Sequence, residues 1–202
     1  MRFTTEEAGY LDSTPIKPER LVDFILLGNL ENAVQLAETF WDSNSHNPIQ
    51  AQRFGAAVHV LFIAQNPQHL EFEEFFYFYT ALDACFALLW ENPSKKKPSH
   101  AERIGWMCDK IGAEIPNWAN PNHSSNNATK ISALRNPAIH EGLFAEKALG
   151  FALTKKRVNQ NLLLEMQSLT CRILAGIIGV PDKDYIGDSV EGNRSLSGLR
   201  LS

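Results

Sequence analysis

The amino-acid sequence predicts an all-α protein, a single bundle of about six to seven helices, and three observations carry that expectation. Apolar residues recur at helical spacing through most of the 202 residues. Helix start and stop residues punctuate the pattern at helix-sized intervals. No stretch alternates apolar and polar side chains as a half-buried strand would, and neither an internal repeat nor a second core pattern is visible. The composition, 44% hydrophobic and 21% charged, suits a globular chain with a sizeable core and excludes a disordered, collagen-like or disulfide-stapled one. The layout is an extended arm over residues 1–18, the bundle over 19–180 and a Gly- and Ser-rich tail over 181–202.

Each element has its own signals. Pro18 before Glu19 and Leu21 opens the first helix, and Gly28 closes it. Asn29 caps a second, reaching about Trp41. Asn47-Pro48 opens a third, with Phe54, Val58, Leu61 and Gln65 along one side, and Asn66-Pro67 ends it. The strongest helix spans about 69–91. It carries 8 of the chain's 20 aromatic residues and is apolar nearly all round, which predicts a place at the bundle's centre. Pro93 to Pro98 form a basic turn; Ser99 and Glu102 then make a capping box for a helix that stops at Gly112. Residues 116–127, rich in Asn, Pro and Ser, read as loop. A helix from about Asn127 leads into residues 134–142. A last long helix, about 156–179, sets Leu162, Met166, Leu169, Ile173 and Ile177 on one stripe. Residues 143–154 fit either a short helix or an extended segment.

The first residues lack the basic start and apolar run of a secretory signal, and the longest apolar stretch, 75–90, is too short and too interrupted by Asp83 to span a bilayer. Cys85, Cys108 and Cys171 are odd in number and without CxxC spacing, as expected of reduced, mostly buried thiols. A cytoplasmic protein without membrane contact follows. The six histidines are scattered without metal-ligand spacing, and no phosphate loop, HExxH or GxSxG run occurs, so no metal and no cofactor is expected. The net charge of −4 argues against a nucleic-acid partner, but it is unevenly distributed. Residues 1–94 hold 4 basic and 13 acidic side chains, whereas residues 95–202 hold 15 basic and 10 acidic. Any RNA should approach the second half.

One pattern there carries chemistry: Arg135 and His140 with four residues between. Arg53 and His59 nearly reproduce it, but Phe54 to Val58 read as plain helix interior with no polar neighbour for Arg53. Around Arg135, by contrast, stand Asn136, an apolar Ile139 and Gly142. Pro137 lies inside the run, which predicts a break with Asn136 capping a new turn. On a straight helix Arg135 and His140 would point about 140° apart. Asp83 is the one charge in residues 75–90, seven positions from both Phe76 and Trp90 on an expected buried stripe. A carboxylate there needs a cation, and Arg135 is the expected one. That bridge would also explain both residues with no catalysis at all.

The run Leu134-Arg135-Asn136, then Ile139-His140-Glu141-Gly142, resembles the signature of the HEPN domains (higher eukaryotes and prokaryotes nucleotide-binding), particularly the ApeA-like branch. The apolar helix Phe76 to Phe86 with its single acid, the closing helix ending Ile177-Ile178-Gly179-Val180 and the short Asp184-Tyr185 stretch are similar in order and spacing, over about residues 30–186. The resemblance implies an α-helical homodimer. It further implies a metal-independent endoribonuclease with Arg and His of both subunits at the interface, or a catalytically silent scaffold or partner of nucleotidyltransferases, toxin–antitoxin modules and defence systems. The side chains suit RNA cleavage to a 2′,3′-cyclic phosphate. His140 can move a proton near neutral pH, and Arg135 can grip phosphate oxygens through two parallel hydrogen bonds. Asn136 would orient His140 or the phosphate. Lys95, Lys96, Lys97, Lys130, Lys155, Lys156 and Arg157 are candidate RNA-backbone contacts, and Trp106, Trp118 and His123 candidate base-stacking residues.

Overall fold

Proline has no N–H to lose at a helix start, and Pro48 is indeed the first residue of its helix, with the Gln50 amide donating to the Asn47 carbonyl at 3.0 Å. Signals of this kind recur along the described residues. The computed structural model describes residues 30–90, 94, 96–123, 129–141 and 160–191. Among them run α1 (Leu30–Ser43), α2 (Pro48–Ala64), α3 (Glu71–Leu89), α4 (Arg103–Ile111), α5 (Lys130–Glu141), α6 (Gln160–Ile177) and α7 (Lys183–Gly187), with no strand. The arm 1–18, the helix expected up to Gly28, its neighbour Asn29, the ambiguous 143–154 and the tail beyond Glu191 lie outside the described residues. No helix among the described residues is long and apolar enough to cross a membrane.

α3 is the axis, as its all-round apolarity predicts. It buries Phe75, Phe78, Tyr79, Leu82, Cys85 and Phe86 and is packed by α2, α4 and α6. The α6 stripe meets it: Leu162, Met166, Leu169 and Ile173 are all at most 1% exposed. Phe86 stacks on Trp90 and takes the edge of Trp106, with ring centroids 5.8 and 5.4 Å apart. α4 and α6 cross at Gly176, where a Cβ would stand 3.1 Å from the Cβ of Ile111. Both helices end in the left-handed conformation that glycine adopts most readily, Gly112 at φ 79° and Gly179 at φ 82°. After Gly179 the Val180 amide reaches back to the Ala175 carbonyl at 2.9 Å.

Three expectations change. Residues 117–119 and 121–123 of the expected loop form 3-10 turns, with Trp118 and Ala119 buried. Residues 181–191 pack on the bundle. Ile186 is 1% exposed, and the Glu191 carboxylate accepts from the Asn117 amide at 2.6 Å. Pro137 does not break its helix: α5 is continuous from Lys130 to Glu141, begun by Thr129, whose hydroxyl accepts from the Ser132 amide. Asn136 is thus a mid-helix residue. Proline forfeits only the bond to the Ala133 carbonyl, a loss a helix held by tertiary packing can absorb.

Candidate active site

The Arg135–His140 pair lies on the surface of α5. Arg135 is half-buried, whereas Asn136 and His140 are exposed. Arg135 Nη1 comes within 3.4 Å of His140 Nε2 despite the five-residue offset. Helical side chains lean toward the N-terminus, so His140 tips back toward Arg135, and the long arginine stem spans the rest. Arg135 Nη1 also donates to Asn136 Oδ1 at 3.1 Å, so the carboxamide holds the guanidinium rather than the imidazole. The guanidinium carbon stands 5.6 Å from the Tyr79 ring centroid on α3.

The expected Asp83–Arg135 bridge is not formed. Asp83 Oδ1 accepts from Arg103 Nη1 at 2.8 Å, and Asp83 Oδ2 lies 3.8 Å from His100 Nδ1. Residues 96–102 lead into α4 with its first turn beside Asp83 and Tyr79. Two pairs then face each other. Tyr79 and Asp83, one turn apart on α3, meet His100 and Arg103, three apart across the start of α4. The Tyr79 hydroxyl is 2.6 Å from His100 Nδ1, and Arg103 Nη1 is 3.0 Å from the same atom. Asp83 is also one-third exposed rather than buried, which lowers the cost of its charge. Among the described side chains no carboxylate pairs with Arg135, and its buried Nε has no partner among them.

The electrostatics follow from that arrangement. Burial and then the adjoining Arg103 push the His100 pKa below its usual value, with Arg135 and Lys97 in the same direction and Asp83 opposing. Burial and the Asp83 charge push the Tyr79 phenol up to about 12, so it keeps its proton. No family model, curated protein sequence or solved structure matches this chain. Its chemistry is therefore argued from its own side chains.

The remaining candidates separate by position. Lys97 lies over the Phe86 ring, 5.4 Å from its centroid, beside the His100 cluster, and Lys96 is exposed next to it. Lys95, Lys155, Lys156 and Arg157 lie outside the described residues, as do the side chains of Lys130 and His123. Trp118 is buried, and Trp106 packs edge-on against Phe86 and Trp90, so both belong to the core rather than to a base platform. Arg53, of the look-alike pair, donates to the Ala87 carbonyl and ties α2 to α3. Sequence reading missed Tyr79, His100 and Arg103. The available signal was the i, i+4 spacing of Tyr79 and Asp83 on one face, which asks for a polar partner.

Among the described residues no three His, Cys, Asp or Glu side chains gather as a metal site requires. A groove of about 510 Å³ runs between α1 and the ends of α4 and α6. Thr39, Ser43 and Asn44 on its wall already donate to backbone carbonyls of α1, and Gln50, Lys110 and Lys183 line it as well. The face carrying Arg135, Arg103 and Lys97 against Asp83 has a positive excess among the described side chains, and it suits an anion.

Proposed function

We propose that this chain is a metal-independent endoribonuclease of the HEPN type, cleaving RNA to a 2′,3′-cyclic phosphate at the interface of a homodimer. One observation carries the reading: a guanidinium with no carboxylate partner among the described side chains stands 3.4 Å from an exposed imidazole nitrogen. An arginine recruited only to neutralise Asp83 would be paired with it, and Arg103 already fills that role. Arg135 Nη1 can only donate, so His140 Nε2 is an acceptor, the state a general base requires. In the proposed step Arg135 turns from His140 to the phosphate, and the freed His140 Nε2 takes the 2′-hydroxyl proton as the 2′-oxygen bonds to phosphorus. The bond to the 5′-oxygen breaks, and that oxygen takes a proton from the second subunit's His140, which enters the step protonated once its own Arg135 has turned to the phosphate. Arg135 binds the phosphate oxygens as charge builds on them, and Asn136 positions Arg135. Ile139, 46% exposed beside His140, is the apolar side chain such a dimer would cover.

The test is cleavage of a labelled RNA in EDTA, with the ends analysed for cyclic phosphate. His140→Ala and Arg135→Ala should each lower the rate by about 10²–10⁴-fold, the usual contribution of a positioned acid–base group. Ile139→Asp should give a monomer that does not cleave. Arg135→Ala should change stability by about 1 kcal/mol or less, since it removes one cation–π contact and no ion pair with a described side chain. Absence of cleavage by the wild type across pH 6–8, or a large stability loss on Arg135→Ala, would leave the silent scaffold, partnered with a nucleotidyltransferase or defence protein, as the reading.

A further inference from the structure

The polar cluster one ring away from Arg135 has an unused hydrogen-bond donor. Arg103 Nη1 has no lone pair, and it lies 2.8 Å from Asp83 Oδ1 and 3.0 Å from His100 Nδ1. Both contacts are satisfied when its two protons point one at each atom. His100 Nδ1 is therefore an acceptor. The Tyr79 hydroxyl, which keeps its proton, points at the same nitrogen from 2.6 Å. With the single lone pair of Nδ1 shared between these two donors, the imidazole proton sits on Nε2, as in any neutral histidine whose other nitrogen accepts. Protonating Nδ1 would set its N–H against the Arg103 donor and add a fourth positive charge to Arg103, Arg135 and Lys97, against Asp83 alone. The downward shift of the His100 pKa agrees.

No described group accepts from Nε2, and the His100 side chain is 35% exposed. Arg135 lies over the Tyr79 ring whose hydroxyl holds His100. One side chain thus separates the guanidinium from the free imidazole N–H. We propose that His100 is a second RNA-contacting residue of this site, its Nε2–H donating to a phosphate oxygen of the strand that Arg135 grips. Tyr79 and Arg103 are positioning residues that act through His100 by occupying Nδ1. The proposal rests on the nuclease reading for the identity of the strand, but not for the state of the imidazole. A neutral donor suits this place because it binds phosphate without adding to the positive charge already crowded there.

The experiment uses the full chain, with inorganic phosphate and a 2′-O-methyl oligoribonucleotide as probes, the latter unable to be cleaved. Long-range ¹H–¹⁵N spectra of the histidine rings should show His100 as the Nε2–H tautomer, with the Nε2 signal moving on addition of phosphate. His100→Ala should weaken oligonucleotide binding by about ten- to hundredfold, the span of a hydrogen bond to a charged group. It should raise KM for RNA in the same proportion and leave kcat within a fewfold, whereas His100→Gln, which can return an N–H, should recover part of the loss. A purely structural His100 would move the melting temperature and leave that KM-against-kcat split absent. An Nδ1–H tautomer, a phosphate-insensitive Nε2, or undiminished oligonucleotide binding by folded His100→Ala overturns the proposal. Wild-type binding that depends on His100 without any cleavage would instead overturn the nuclease reading and leave this one standing.

Discussion

At the scale of single residues, the sharpest contrast is between the two arginines that flank Tyr79. Arg103 is tied to Asp83 and His100 and lies 4.8 Å from the Phe86 ring centroid, an anchored structural group. Arg135 keeps its charge for something outside the described side chains. His100 links the two, and its neutrality has a measurable consequence. Its folded-state pKa lies below the ordinary 6.5, so on acidification the unfolded chain takes up a proton first. Stability is complete above about pH 6.5 and is lost as pH falls from there toward the lower folded value. Urea denaturation across pH 5–7.5 should show that decline, and His100→Gln should flatten it. The buried thiols lie on the other side of neutrality. Burial pushes Cys85 and Cys108 up to about 12 and Cys171 up to about 11, so none is a thiolate near pH 7.

At the scale of elements, stability concentrates where α3 meets α4 and α6. Phe86 is 1% exposed, is covered by Trp90 and Trp106, and has Arg103 and Lys97 over its face. Phe86→Ala should therefore cost about 3–5 kcal/mol, read as a drop in the denaturation midpoint at unchanged slope. The same substitution should loosen the first turn of α4 and with it the hold on His100. Gly176 tests the other crossing. Alanine there gains helix propensity, but its methyl would press on the Cβ of Ile111, an atom fixed to the backbone that no rotamer change can move. Overpacking outweighs propensity, and Gly176→Ala should destabilise by about 1 kcal/mol net in the same denaturation assay.

At the scale of the whole molecule, charge decides what can approach and where. The −4 total comes from the acidic first half, while residues 95–172 hold 12 basic and 6 acidic side chains. On the described surface Lys96, Lys97 and Arg135 come from that second half and flank the His100–His140 region. If all three neutralise RNA phosphates, log affinity against log salt should fall with a slope of about −2, since each contact releases counterions. Fluorescence anisotropy with the 2′-O-methyl oligonucleotide between 50 and 200 mM salt is the direct measurement. The Lys97→Ala variant should make the slope shallower by about 0.7.

How far the sequence reaches is seen at particular places. Helices were legible because their information is local: Asn47-Pro48, Ser99 with Glu102, Gly112 and Gly179 act within a turn or two of where they stand. The centrality of α3 was legible because a helix apolar on every side has only one place to go. The Arg135–His140 pair was marked by its chemical neighbours and is adjacent in space. The Asp83 partner was misassigned, since sequence says that a carboxylate on an apolar helix needs a cation without saying which of nine arginines arrives. That choice belongs to the packing of α4 against α3, which sets Arg103 and His100 beside Asp83. By itself the sequence determined an all-α chain with a central aromatic helix and a candidate Arg–His site in its basic half. Only the tertiary structure decided that Asp83 is satisfied by Arg103, leaving Arg135 without a carboxylate among the described side chains, because ion pairing is settled by distance in space and not along the chain.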